Sequence, residues 1–348
     1  MASPFWLPGK RGRAAWVALA LGAGALPGCR TAPVSRPAPA PVPALAPAPI
    51  MAPKPDVPLG DEIIVAGRSF HTGTRVITWM DPRGYNAYRA APRPVAKAGK
   101  PAVITKDYDA RQAPALPGDK GPRKTIPAGL NALQGLIDQL VLHYDNAGLS
   151  KLCFGILQQR GLSTHFMIDV DGTVYQTLDL QERALHATTA NSRSIGVELA
   201  NRGAYPPGDT QAFVKWYQRD PAGQIRLKRN PETGDARILT ANFTGRPAQP
   251  APVRGVIQGR DLKQYDYTPE QYAALAKLTA ALCRVFPLLR CDYPRDAAGR
   301  LVRQKLPDHV LANYQGILGH YHLQENKTDP GPAFDWDKLI EGARTLAK

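Results

Sequence analysis

Cysteine is scarce in this sequence: its 348 residues include only Cys29, Cys153, Cys283 and Cys291, and none of them form a Cys-x-x-Cys pair. Four cysteines are too few for a disulfide scaffold, and without Cys-x-x-Cys pairs we expect no structural zinc site made of four thiolates. Cys153 falls on the apolar face of a predicted helix, so we interpret it as a core residue. The sequence leaves open whether Cys283 and Cys291 are free or joined in a disulfide.

Acidic residues are also few compared with basic ones. The chain has 44 lysines and arginines against 29 aspartates and glutamates, which gives a formal net charge of +15. A basic balance suits nucleic acid, an anionic lipid surface or an acidic polymer. The sequence lacks helix-turn-helix, RNP and zinc-finger patterns, and its basic residues are scattered. We therefore expect no nucleic-acid partner and favour an anionic cell envelope.

The apolar run near the N-terminus is short. Residues 14–26 form a run of 13 residues, whereas a membrane-spanning helix needs about 20. The run follows Lys10, Arg11 and Arg13, as in an export signal, and it ends in Leu26-Pro27-Gly28-Cys29, which resembles a bacterial lipobox. We predict that residues 1–29 are a lipoprotein-type signal peptide with lipidation at Cys29. The alternative is a plain signal peptide with an incidental cysteine.

Proline, by contrast, is abundant, with 34 in the chain and ten of them between positions 33 and 58. Residues 30–60 are therefore predicted to form a Pro/Ala-rich linker in extended polyproline II conformation, which would reach about 90 Å at about 3.1 Å per residue. Residues 61–128 follow as an N-terminal extension with short predicted strands. We expect the extension to pack on the main domain.

Residues 129–348 are predicted to form the main domain. Ser150 is expected to cap a helix over residues 151–160, which Gly161 ends, and Thr268-Pro269-Glu270-Gln271 predicts the start of a second helix. Residues 203–262 are rich in glycine, proline and arginine and are longer than a typical connection. We interpret them as an insertion beside the functional site.

Two polar side chains occur where buried strands are predicted. His143 follows the apolar residues 140–142 at a strand end, where open sheets commonly place chemistry. Asp145 shares its face and is a rival candidate ligand. Glu198 lies within the strand Ser194-Ile195-Gly196-Val197-Glu198-Leu199, on the face opposite its apolar residues. An acid in that position is costly to bury unless it is paired or functional.

A further group of polar candidates lies near the end of the chain, in Gly319-His320 and in Lys327-Thr328-Asp329-Pro330-Gly331-Pro332-Ala333-Phe334-Asp335-Trp336. Asp329 precedes a proline, which favours an extended backbone. The prolines should stiffen a loop that presents His320, Lys327 and Asp329 together, as a catalytic site requires. His322 shares a face with His320 and is a rival ligand.

These last stretches resemble the closing motif of the zinc amidase domain of AmpD-like N-acetylmuramoyl-L-alanine amidases, relatives of the peptidoglycan recognition proteins. Residues 161–176, 184–187 and 194–199 are similar to earlier motifs of that family. The resemblance runs from Leu133 to the end of the chain, with the insertion excepted. It implies an α/β fold with a central mixed β-sheet flanked by helices.

The resemblance also implies a Zn²⁺ ion held by His143, His320 and Asp329, with a fourth position open for water. Glu198 would be the base for that water, and Lys327 would be the donor to the oxyanion.

Two further histidines fall within the family's motifs. By resemblance His186 lines the substrate cleft without binding metal, although the chain lacks the tryptophan and glycine that flank it in the family. His165 is interpreted as structural.

The predicted activity is zinc-dependent hydrolysis of the amide bond between N-acetylmuramic acid and L-alanine in peptidoglycan or muropeptides. We expect a monomer in the cell envelope, facing the periplasm as an outer-membrane lipoprotein with an N-terminal lipid anchor. The alternative is an envelope lipoprotein that binds peptidoglycan without cleaving it. The intact ligands, together with Glu198 and Lys327, argue against this alternative.

Overall fold

The computed structural model of the protein describes residues 60–89, 93–97, 100–104, 106–113, 123–209, 211–228 and 238–347. The predicted signal peptide with Cys29, and the linker up to residue 59, lie outside these residues. In the described part of the chain, no helix is both long and apolar enough to cross a membrane.

The strands are short, with three to six residues each, and the longest described helix has 17 residues. The strands, in chain order, are β1 (Glu62–Val65), β2 (Arg68–His71), β3 (Val76–Thr78), β4 (Arg93–Lys97), β5 (Lys100–Ile104), β6 (Tyr108–Ala110), β7 (Gln139–Tyr144), β8 (Phe166–Ile168), β9 (Val174–Gln176), β10 (Glu182–Ala184), β11 (Ser194–Leu199), β12 (Tyr217–Arg219), β13 (Ile225–Leu227), β14 (Val253–Ile257), β15 (Arg260–Gln264) and β16 (Gly316–Gly319). The helices are α1 (Leu130–Gln134), α2 (Ser150–Arg160), α3 (Gln211–Trp216), α4 (Pro269–Val285), α5 (Asp308–Asn313) and α6 (Trp336–Ala347).

Six strands form a central sheet in the order β16-β7-β11-β8-β9-β3. β16, β7, β11 and β8 are parallel to one another, whereas β8 and β9 form an antiparallel hairpin. The sheet is therefore mixed and helices pack on it, which confirms the predicted fold class. Because parallel strands end at the same edge, the ends of β7, β11 and β16 meet there.

The central strands are apolar because they are covered on both faces. Every residue of β11 is buried, and so is β7 except for the half-buried Tyr144 at its end. Nearly continuous burial of this kind is typical of parallel strands between layers of helix. Leu140, Leu142, Ile195, Val197 and Ile317 lie in one core that also includes the apolar faces of α4 and α6.

The two predicted helix starts have different outcomes. The prediction for α4 is confirmed, since the Thr268 side chain accepts the Gln271 N–H and the Gln271 side chain accepts the Thr268 N–H. The prediction for Ser150 is wrong: the N-cap of α2 is Leu149, which makes no side-chain capping bond. The Ser150 amide instead faces the carboxylate of Asp169. Gly161 ends α2 in the left-handed conformation, as predicted.

Asp169 is a fully buried carboxylate, and its burial gives a prediction about pH. Burial, followed by the charge of Asp171, raises the pKa of Asp169 to about 8. In an unfolded chain that pKa would be about 3.9. The folded state therefore holds the proton more tightly, so the contribution of this group to stability is fully present below about pH 4 and is lost as the pH rises through about 8.

We expect Asp169→Asn to remove this loss and to raise Tm at pH 8 by roughly 2–4 °C for each kcal/mol recovered. Thermal unfolding between pH 4 and 9 measures the effect, with the exposed Asp209→Asn as control. A variant whose Tm falls with pH as steeply as the wild type would contradict the prediction.

The N-terminal extension contributes to the central sheet. β3 pairs in parallel with β9 as its edge strand. Arg111, which is buried, donates to the carbonyl oxygens of Leu180 (2.9 Å), Ser192 (3.0 Å) and Ser194 (3.1 Å). Backbone groups of the main domain thus hold a side chain of the extension in place.

The cysteines are free in the described residues. Cys153 is buried in the core, in line with its interpretation. Cys283 and Cys291, whose pairing the sequence left open, are not joined in a disulfide.

Candidate active site

The C-terminal edge of the parallel strands brings the predicted site residues together. His143 and Glu198 are each the penultimate residue of their strand and lie directly opposite one another in the pairing of β7 with β11. His320 follows β16 immediately, and the loop after it leads to Asp329. His143, His320, Asp329 and Glu198 are only 3, 5, 7 and 8% exposed. The fold therefore gathers four polar side chains at one buried edge.

Three of these side chains converge to a point. His143 Nδ1 lies 3.0 Å from His320 Nδ1, and each of these nitrogens lies 2.9 Å from Asp329 Oδ2. Among the described residues, these three make up the group of histidine, cysteine and acidic side chains whose ligand atoms lie close enough to share a metal ion. A tetrahedral zinc ion with bonds of about 2.0–2.1 Å would hold such atoms about 3.4 Å apart, so small shifts would suffice.

The outer hydrogen bond of one imidazole sets its tautomer. Gln324 Oε1 can only accept, so His320 Nε2 donates to it (2.6 Å) and carries the proton. His320 Nδ1 is then free to bind a cation. His143 Nε2 lies 3.1 Å from His186 Nδ1, a contact in which either nitrogen can be the donor. Nitrogen and oxygen donors with such outer partners fit zinc.

The protonation states agree with this donor set. Burial alone would raise the pKa of Asp329, but the adjacent His320 and His143 hold it well below its usual range. Burial and the neighbouring His320 lower the pKa of His143 to about 4. At neutral pH the carboxylate is charged and the imidazole is neutral, as metal ligands must be.

Glu198 and Lys327 line the same cleft, which has a volume of about 260 Å³. Burial, followed by the negative charges of Asp329 and Asp145, raises the pKa of Glu198 well above its ordinary value. The ammonium of Lys327 has the opposite effect on that carboxyl group. A carboxyl group with a raised pKa beside a group of candidate ligands is suited to accept and return a proton.

Comparison with known proteins agrees with the geometry. Residues 133–332 match the model of the Amidase_2 family, described as N-acetylmuramoyl-L-alanine amidase. The match covers more than half of the chain. The chain belongs to this family. It is thus an enzyme that hydrolyses an amide bond in peptidoglycan, as the resemblance predicts.

Several solved amidase structures are similar to the chain, although no curated protein matches it. A selenomethionine derivative of AmpD is 20% identical over 77% of this chain and 98% of its own, with a TM-score of 0.31. AmiD from E. coli, solved with anhydro-N-acetylmuramic acid-L-Ala-D-γ-Glu-L-Lys, is 19% identical over 72% of this chain and 65% of its own, with a TM-score of 0.32. AmpDH3 from Pseudomonas aeruginosa, solved with an anhydromuramic pentapeptide, is 16% identical over 66% of each chain, with a TM-score of 0.33.

The rival ligands of this amidase make other contacts. Asp145 Oδ1 accepts the backbone N–H groups of Ala147 (3.0 Å), Gly148 (2.8 Å) and Asn201 (3.1 Å), so it shapes the turn after β7. His322 is buried and uses both ring nitrogens on the backbone, since Nδ1 accepts from Gly319 and Nε2 donates to Val302. Neither residue belongs to the group of converging ligands.

The two remaining histidines of the motifs, His186 and His165, lie next to the site. His186 lines the cleft, and its Nε2 lies 3.3 Å from Ser194 Oγ while its Nδ1 faces His143. A Cβ atom on Gly196 would lie 2.7 Å from the His186 ring, which explains the glycine within β11. The ring of His165 accepts the Gly196 N–H through Nδ1 and has a structural role, in line with its interpretation.

Sequence reasoning missed three residues of the site. Gln324 holds the tautomer of His320, and its position four residues further on was the available signal. Asn146 and Arg160 also line the cleft. Arg160 is the last residue of α2, and nothing in its local pattern distinguishes it from an ordinary charged helix end.

Proposed function

We propose that the protein is a zinc-dependent amidase that cleaves the bond between N-acetylmuramic acid and L-alanine in peptidoglycan or muropeptides. The observation that carries this proposal is the convergence of His143, His320 and Asp329 within 3.0 Å of one another, in a cleft that also contains Glu198. The contacts of Gln324 with His320 and of His186 with His143 also support the proposal.

The residues of the cleft divide the chemistry among them. A zinc ion held by the three ligands would supply Lewis acidity to a substrate carbonyl and to water. Glu198 would accept the proton of the attacking water and return it to the nitrogen of L-alanine, so that the amine leaves uncharged. Its raised pKa lets the carboxyl group keep the proton between these two transfers. Lys327 would stabilise the negative charge that develops on the carbonyl oxygen.

The test is the release of stem peptide by the purified full-length protein. We would incubate it with muropeptides and with intact murein, and use mass spectrometry to detect a peptide with a free L-alanine amino group. Release should stop with a chelator and return with added zinc. Zinc-loaded protein that binds muropeptide but releases no peptide would instead establish the non-catalytic binding protein.

We also propose that the amidase acts in the cell envelope, exported by residues 1–29, anchored at Cys29 and carried on the linker of residues 30–60. The support is the lipobox-like sequence and the proline content, together with the peptidoglycan substrate of the family. Under this proposal the extension and the main domain reach peptidoglycan from an outer-membrane anchor, as a monomer facing the periplasm.

Lipidation of Cys29 predicts that cells expressing the protein incorporate labelled palmitate into it and that Cys29→Ala abolishes the label. The label on immunoprecipitated protein measures this, with Cys153→Ala as control because that thiol is buried. Processed but unlabelled wild-type protein would show a plain signal peptide.

A further inference from the structure

The last hairpin of the insertion, β14–β15, lies against the loop that carries two of the proposed ligands. Its turn is Gln258-Gly259, and both residues have positive φ. Gln258 Nε2 donates to the carbonyl oxygens of Tyr321 (2.7 Å) and Gln324 (3.2 Å). Gln258 Oε1 accepts the Lys305 N–H (3.2 Å). The turn thus holds the segment that follows His320.

Gln264, at the other end of β15, holds the segment that follows Asp329. It is fully buried. Its Nε2 donates to the Pro330 carbonyl (3.0 Å) and to Asn201 Oδ1 (3.2 Å), and its Oε1 accepts the Ala333 N–H (3.0 Å). A Cβ atom on Gly331 would lie 2.1 Å from Gln264 Oε1, so the glycine lets the loop approach this closely.

Contacts within the loop close it on itself, as in the bond from the Tyr321 N–H to the Asp329 carbonyl (3.2 Å). The pairing of β16 with β7 and the contact of Tyr144 Oη with Thr328 Oγ1 (2.6 Å) place the two ends of the loop relative to β7, which carries His143. The two glutamines add contacts to the segments that follow His320 and Asp329. Through Asn201, Gln264 also ties the loop to the segment that follows β11, the strand of Glu198.

We infer that the β14–β15 hairpin is a clamp that positions His320 and Asp329 for the metal ion, with Gln258 and Gln264 as its positioning residues. The inference rests on the proposed zinc site and gives the insertion a role in it. A metal site requires its ligands to be held within about 0.5 Å of the working geometry, and the contacts of the two glutamines contribute to this. The clamp should therefore affect the affinity for the metal ion directly, and catalysis only through the bound metal.

The test compares the zinc affinity of full-length variants by competition with a chromophoric chelator. Gln264→Met and Gln258→Met keep the side-chain size and remove the amides. Loss of a direct outer partner of a ligand typically weakens metal binding by about 10–100-fold. Because the two glutamines bind the backbone beside the ligands, we expect each substitution to weaken zinc binding by about 10-fold, at the lower end of that range. The visible spectrum of the cobalt-substituted protein should change as well, since it reports ligand geometry.

Gln176→Met is the matched control. Gln176 is also fully buried and makes three hydrogen bonds through its amide, to both backbone groups of Ile64 and to the Leu178 carbonyl. Gln176 lies on β9, and its amide partners lie outside the ligand loop. Its loss should lower Tm as Gln264→Met does and leave zinc affinity within about twofold.

Wild-type zinc affinity in folded Gln264→Met and Gln258→Met would overturn the inference. An equal loss of affinity in Gln176→Met would overturn it too, because the effect would then follow stability. If Gln264→Met does not fold, the half-buried Gln258 decides the outcome. Failure of the proposed function would be visible separately, as wild-type protein that takes up no zinc, and the inference would fall with it.

Discussion

Replacing His320 with alanine is expected to weaken zinc binding strongly and, with it, to lower the rate of amide hydrolysis. His320 supplies one of three converging ligand atoms, and its Nδ1 lies 2.9 Å from Asp329 Oδ2. The free energy of zinc binding to protein sites is about 10–16 kcal/mol and comes from all the ligands together. Loss of one ligand should therefore weaken binding by on the order of 10²–10³-fold. The zinc-to-protein ratio after dialysis and the rate of stem-peptide release measure the two effects.

His309→Ala is the control for this substitution, because His309 is an exposed histidine on α5. It should keep both zinc and activity. If His320→Ala retained one zinc ion and its activity, the ligand set would be wrong. His322 would then have to be reconsidered despite its two backbone hydrogen bonds.

Glu198→Gln is expected to lower kcat by about 10²–10⁴-fold while zinc stays bound. The amide has the size of the carboxyl group but cannot accept the proton of the attacking water. Glu198 is not part of the group of ligand atoms, so the metal should remain. The measurement combines the zinc content of the variant with its kcat and KM on a purified muropeptide.

The exposed Glu270→Gln, at the start of α4, serves as the control for a general change in charge. An unchanged kcat in Glu198→Gln would show that another group is the base. A loss of zinc in the same variant would mean that Glu198 acts on the metal site, and its proposed role in proton transfer would have to be abandoned.

The location of the site is predictable because its signals are local. His143 comes at the end of a short apolar run, and Glu198 is an acid between the apolar residues Val197 and Leu199 of a buried strand, so each residue is marked by its immediate neighbours. The closing motif places His320, Lys327 and Asp329 within ten residues of one another. The start of α4 is equally local, since Thr268 and Gln271 satisfy each other's backbone groups three residues apart.

The start of α2 shows where such local reasoning fails. Serine is a residue type that often caps helices, but the Ser150 amide faces Asp169, which directly follows β8. The carboxyl group of Asp169 is an additional acceptor at the start of the helix. It cannot be predicted from the residues near Ser150, because Asp169 is distant from them in the sequence.

The family, the fold class and the candidate residues of the site could be predicted from the sequence, because apolar runs and motifs are properties of neighbouring residues. The surroundings of these residues could be seen only in the folded chain: the edge strand β3 from the N-terminal extension, the contact of His186 with His143, and the hydrogen bond from Gln264 to the Pro330 carbonyl. The partners are 43 residues apart in the chain for His143 and His186, 66 for Gln264 and Pro330, and 98 for the paired residues of β3 and β9. Hydrogen bonds at such separations exist only once the sheet has fixed the path of the chain, since the sequence around each partner carries no trace of the other.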